Sequence, residues 1–319
     1  MDTYVEDRLQ WRRLGQGDLD SLARLRTQLD VLDAGQLGLA ARLVGDPDLA
    51  RDDVLCVGGF DRFGNLLAFG WNDTRLDEGE PRVVLVGGVH ATQRYRGIGP
   101  ALLAWQIAQA RAWRDSVAPG QELWLGAFVS PDTRGLHRPL DRLGFEPTRY
   151  FYDLQRVLDA VPHARLVSGI DFEVYRPEFA GAVDLVQRRC RQLGDQGIRV
   201  HDGRGLGRLD DSRSDQWSPV ARRDGQVVGF LIAGMDHDDA VFGEAEGWVH
   251  ELAVLPEFRE AGLWLALLER SLAAMQADGC PVAGIGIDAP DEADVAPLLD
   301  ELGFETRDAV TLLSLTEPG

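Results

Sequence analysis

The chain has 319 residues, 45% hydrophobic and 27% charged, the length of two domains of about 150 residues each. Its net charge is −19 and all 33 basic residues are Arg. That excludes a lysine nucleophile, Schiff base or Walker-type lysine and makes nucleic acid and anionic membrane poor partners. The first 160 residues hold 19 Arg against 23 acids, net −4, and the remainder 14 Arg against 29, net −15. A cationic substrate would be attracted to the second half, whereas a phosphorylated cofactor would be repelled unless local Arg met it. No apolar run of roughly 18 residues suggests a membrane span, and the acidic start, MDTYVEDRLQ, is no secretion signal. Cys56, Cys190 and Cys280 are too few for a disulfide framework and read as buried thiols. A cytoplasmic protein without a metal site is expected, and a homodimer is left open.

In chain order, residues 18–32 have helical apolar spacing after an Asp, and 35–45 suggest a second helix. Residues 52–61 and 64–76 read as strands joined by a turn at Arg62 to Asn65, and 81–90 as a third strand. A loop, RYRGIGP, then opens a helix running to about Arg114. Residues 121–130 are a buried strand, 132–145 a short helix with Gly144 as its C-cap, and 148–158 a closing strand.

The second half repeats the tail of this order: a hairpin turning at Asp224-Gly225, a strand over 247–258, a loop and helix, and a strand over 281–289. The loop starts Arg94 and Arg259 are 165 residues apart, and the Leu-Gly-Phe triplets at 143 and 302 are 159 apart. One α/β fold with a mixed sheet therefore occurs twice, as domains 1–158 and 170–319, with a linker around Val157 to Asp171.

Backbone N–H groups at a helix N-terminus bind phosphate, glycine lets the phosphate approach, and Pro100 suits a first turn. The element order, with Arg94-Tyr95-Arg96-Gly97-Ile98-Gly99, resembles the GCN5-related N-acetyltransferase (GNAT) family, whose Gln/Arg-x-x-Gly-x-Gly/Ala loop grips the pyrophosphate of acetyl-coenzyme A. Two such domains in tandem are implied. The resemblance also implies a bulge and a splay at the strand carrying Gly87-Gly88, with the backbone of Gly87 and Val89 against the pantetheine arm. In the second half, Arg259-Glu260-Ala261-Gly262-Leu263-Trp264 keeps the Arg and first Gly but puts Trp264 where phosphate should lie. Glu257, Glu260 and Glu269 would repel phosphate there. The first domain is thus expected to bind acetyl-CoA.

The catalyst is less legible. The tyrosine that serves as general acid in many family members is replaced by Leu140 and Leu299. Substitutes are Tyr152, with Tyr150 beside it, and His137 near the missing tyrosine. His90 reads as a cap and Ser130 as a strand-end residue that could orient water. Glu251 stands where many family members place a base, and Val86 is its first-half counterpart. The expected reaction is acyl transfer from acetyl-CoA to a small-molecule amine. Two alternatives are catalysis by the C-terminal domain through Glu251, and an acyl-CoA-binding protein without catalysis.

Overall fold

The structure, a computed structural model, describes residues 6–32, 38–49, 54–130, 134–160, 163–192, 199–200, 213–236, 246–259 and 262–319. The chain forms two compact units, one of residues 1–149 and 308–319, the other of residues 150–307.

In unit 1 the sheet runs β1 (Gln10–Arg13), β2 (Cys56–Phe60), β3 (Leu66–Asp77), β4 (Glu80–Val89), β5 (Leu123–Val129) and β13 (Glu305–Glu317). All neighbours are antiparallel except β4 and β5. The helices are α1 (Leu19–Leu32), α2 (Gly38–Val44), α3 (Ile98–Val117) and α4 (Arg134–Arg142). Apolar residues of α1 (Leu22, Leu25, Leu29) pack on Phe69 and Trp71 of β3, while Leu103 and Ile107 of α3 pack on Val83 and Leu85 of β4. The period-2 alternation of β4 thus sends odd residues to α3 and even ones to α1. Buried Gln106 fixes α3 to the sheet, its Nε2 donating to the carbonyls of Trp71 and Val86, each at 2.9 Å.

Unit 2 repeats the plan. Its sheet runs β7 (Asp171–Val174), β9 (Pro219–Arg223), β10 (Gln226–Asp236), β11 (Glu246–Val254), β12 (Val282–Ala289) and β6 (Glu146–Val157), with β8 (Arg199–Val200) also paired to β12. Here β11 and β12 are the parallel pair. The helices are α5 (Ala180–Arg191), α6 (Leu263–Ala277) and α7 (Ala296–Asp300). The hairpin turns at Asp224 (φ 49°) and Gly225 (φ 80°), as the Asp-Gly pair requires.

The repeat is fuller than the sequence indicated. β1 has β7 as its counterpart and α1 has α5, so the repeat begins at the first strand and helix of each half rather than only in its tail. The expected boundaries also change: β6, at the end of the first half, pairs β12 over residues 150–157 and 282–289. The last strand of the chain, β13, pairs β5 in unit 1 over residues 123–129 and 311–317. Each half contributes its final strand to the other half's sheet.

Candidate functional site

In unit 1, β4 and β5 pair only from Arg82↔Trp124 to Val84↔Gly126 and then part. Beyond that point β4 stays in register with β3, down to Ala68↔Val89. His90 N–H donates to Leu67 O at 2.8 Å, so Gly70/Gly87 and Ala68/Val89 are non-hydrogen-bonded pairs. The N–H and C=O groups of Gly87 and Val89 therefore point away from β3, into the space between the parted strands. Gly87 is exposed there. The expected splay is present, but the expected bulge is not: β3 and β4 pair without a register shift. The bulge lies instead in β11, where the register shifts between Ile232 and Ala233 and His250 is skipped.

The two glycines have a packing cause. A Cβ on Gly88 would lie 2.5 Å from Leu29 Cδ1, and one on Gly87 2.9 Å from Phe69 O and 3.4 Å from Leu102 Cδ2. Gly88 admits α1 to the sheet and Gly87 lies against the backbone of β3; the slot comes from the parting of the strands.

Below the slot, the loop turns through Tyr95 (φ 60°) and Gly97 (φ 89°), the N-cap of α3. Ile98 and Gly99 open the helix, and their N–H groups have no intrahelical acceptor. A Cβ at Gly97 or Gly99 would meet nothing within 4 Å, so the space in front of these amides is open. Arg94 Nε donates to Val89 O at 3.1 Å, tying loop to strand and leaving the Val89 N–H toward the slot. Arg96 is exposed, as is Tyr95 at 94%. His90 caps the short turn over Ala91–Gln93, its Nδ1 accepting from Thr92 N–H at 3.3 Å.

The corresponding place in unit 2 is built differently. Gly262 (φ 68°) caps α6, but Arg165 lies over it, its Nη1 3.8 Å from where a Cβ would stand. The Arg165 Nε donates to Glu269 Oε1 at 2.9 Å, its N–H to Glu269 Oε2 at 2.7 Å, and its Nη2 to Glu301 at 3.0 Å. Glu269 is buried with its charge met by Arg165, while Glu257 pairs with Arg189 at 2.6 Å, so neither is the unpaired charge expected beside the loop. Trp264 is half-buried against the unit 2 core. Glu260 and Ala261 lie outside the described residues.

The candidate catalytic residues are scattered. Tyr152 is on β6, opposite Ile287, and so in unit 2 rather than with the loop of its own half. Burial, then the charge and hydrogen bond of Glu292, push its hydroxyl up to about 12. Tyr150 pairs Ala289 on the same strand. His137 on α4 contacts Ser130 O through Nε2 at 3.2 Å, at the end of β5. Glu251 on β11 accepts a hydrogen bond from Gln187 of α5, and burial pushes its carboxyl up from the ordinary range. Its counterpart Val86 packs against the apolar cluster under α1. Leu140 is fully buried in the unit 1 core, and Leu299 packs against that of unit 2. Arg165, Gln187 and Glu292 had no motif to reveal them; their partners are 104, 64 and 140 residues away in sequence.

A twice-repeated α/β fold with a parting parallel pair and a helix-capping glycine loop is the arrangement expected of two GNAT-like domains in tandem. Residues 189–304 match the model of the Acetyltransferase (GNAT) family. Over 292 residues the chain is 28% identical to the mycothiol acetyltransferase of Streptomyces avermitilis, covering 84% of this chain and 86% of that protein. Against that of Streptomyces coelicolor it is 27% identical over 234 residues, 69% and 67% of the two chains. Among solved structures, the fold is similar to a GCN5-related N-acetyltransferase from Sphaerobacter thermophilus (TM-score 0.71, 18% identity, 98% and 97% of the chains). It is also similar to a tandem GNAT protein from the clavulanic acid biosynthesis pathway (TM-score 0.58, 16% identity, 98% and 99%). The chain has the fold of a tandem GNAT protein, and its similarity to the family model and to the Streptomyces acetyltransferases supports an acyltransferase. Among the described residues no helix is long and apolar enough to cross a membrane.

Proposed function

We propose that unit 1 binds acetyl-CoA, or a related acyl-CoA, and that the protein transfers the acyl group to the amine of a small molecule. The observation that carries this reading is the open slot between β4 and β5 leading to the uncovered amides of Ile98 and Gly99. The residues fit the cofactor: the α3 amides face the place for pyrophosphate, with exposed Arg96 in the same loop, and the Gly87 backbone and Val89 N–H the place for the pantetheine amides. When bound, the thioester supplies the activated acyl group. The chain positions the reactants, and positioning alone supplies much of the rate. The strongly acidic second half favours a cationic acceptor, and the names of the Streptomyces relatives make a mycothiol-related amine the first acceptor to test.

Calorimetry with acetyl-CoA tests the cofactor half of this reading. Gly99→Trp, placed in open space, is expected to abolish binding, and Trp264→Gly to leave it unchanged; intact binding in Gly99→Trp overturns the assignment. A second reading has an observation of its own, the raised carboxyl of Glu251 in the half that matches the family model. Under it, Glu251→Gln lowers turnover by about 100-fold or more. With catalysis based in unit 1, Glu251→Gln stays within about twofold of the wild-type rate of thiol release.

A further inference from the structure

The two parallel pairs part at equivalent points but are filled differently. In unit 1, pairing ends at Val84↔Gly126, and among the described residues nothing pairs with β5 on the β4 side beyond Gly126. In unit 2, pairing ends at Val249↔Ile285. Two residues on, β12 takes a new antiparallel neighbour on that edge: Val200 pairs Ile287 and Arg199 pairs Asp288. The opposite edge of β12 is already taken by β6 at the same residues, Tyr152 at Ile287 and Phe151 at Asp288. β8 therefore lies where β11 has withdrawn, and Val200 packs against the unit 2 core. Parted strands leave backbone N–H and C=O groups in need of partners. In an acyl-CoA slot, the amides of the pantetheine arm answer that need.

We infer that unit 2 holds no acyl-CoA because its own chain occupies the slot, Arg199–Val200 pairing the β12 edge beside which a pantetheine arm would have to lie. The inference deepens the reading that unit 1 is the acyl-CoA site. A second observation agrees with it: at the cradle of unit 2, Arg165 lies beside Gly262 and is held there by Glu269 and Glu301, whereas nothing lies beside Gly97 in unit 1. Slot and cradle are each met by residues of the chain itself, one from between α5 and β9 and one from the segment before β7. A pantetheine arm can enter unit 2 only by displacing β8 from β12.

Hydrogen exchange of the full-length protein with and without saturating acetyl-CoA tests this. Amides at 287–288 are expected to be protected in the free protein and to change by less than about twofold on adding acetyl-CoA, while those at 85–89 gain about tenfold or more. A gain at 287–288 overturns the inference, as does the absence of protection there in the free protein. No gain at 85–89 with unchanged protection at 287–288 overturns the unit 1 assignment and leaves the filled slot standing. Val200→Pro, which removes a ladder donor, is expected to raise exchange at 287–288 about tenfold. In a Gly99→Trp background it should create one equivalent of binding for free pantetheine, a probe that needs no phosphate cradle. Arg199→Pro serves as the second variant, and failure of both to create that binding while the protein stays folded counts against the inference.

Discussion

Gly99 and Trp264 occupy equivalent positions in two helix starts, and the difference is readable from the sequence because only a residue without a side chain leaves the amides uncovered. What the sequence could not show is that Trp264 has a core to lean on and that Arg165 lies beside Gly262. Gly87 and Gly88 teach the converse: glycines beside a slot invite a ligand explanation, yet a side chain at Gly87 would meet the Phe69 carbonyl and one at Gly88 would meet Leu29. Glu251 makes a prediction at this scale. Burial is the largest influence on its carboxyl and raises it, so the folded state holds the proton more tightly than the unfolded chain. Its contribution to stability is complete below the ordinary carboxylate range and is lost as pH rises through the raised folded value. Glu251→Gln has no such loss, so relative to wild type the variant should gain stability between pH 4 and pH 8. Urea midpoints at both pH values measure this; a constant difference would mean that Glu251 titrates as an ordinary surface acid.

Elements with strong periodicity were legible: α3, β4, β5, β10, β11, β12 and α6 lie where apolar spacing put them. β1 was missed because its four residues, Gln-Trp-Arg-Arg, carry no alternating apolar pattern and owe their conformation to pairing with β2. α5 was missed for a related reason, since only Val186 of its residues is fully buried. β8, two residues long, has no sequence signature at all. The segment before β7 read as a plain linker, yet it carries the clamp on α6. Arg165→Ala would leave the Glu269 carboxylate buried without its counter-charge, a loss of about 3 kcal/mol to be seen as a lower urea midpoint for unit 2. Adding Glu269→Gln should recover part of that loss by removing the stranded charge; no recovery would mean that Arg165 stabilises through packing alone.

At the level of the whole chain, duplication was legible and the allocation of its last strands was not. Spacing of the loops and of the Leu-Gly-Phe triplets shows that a domain occurs twice, but strand pairing is non-local and β6 and β13 are equally good partners by composition. Their exchange makes unit 1 depend on the C-terminus. A chain ending at Arg307 keeps every residue of unit 2 and loses the partner of β5, exposing an edge that ought to be covered. It should bind acetyl-CoA at least about 100-fold more weakly and show faster proteolysis in residues 6–149 than in 163–307. Wild-type affinity in that shortened chain would refute the strand assignment.

The same exchange sets an order of completion during synthesis. A ribosome has produced all of unit 2 by Arg307, whereas unit 1 still lacks the stretch from Asp308 to Gly319. At about 5–20 residues per second, the first 149 residues wait roughly ten to thirty seconds for the strand that covers β5. The half that leaves the ribosome first is thus the last to close.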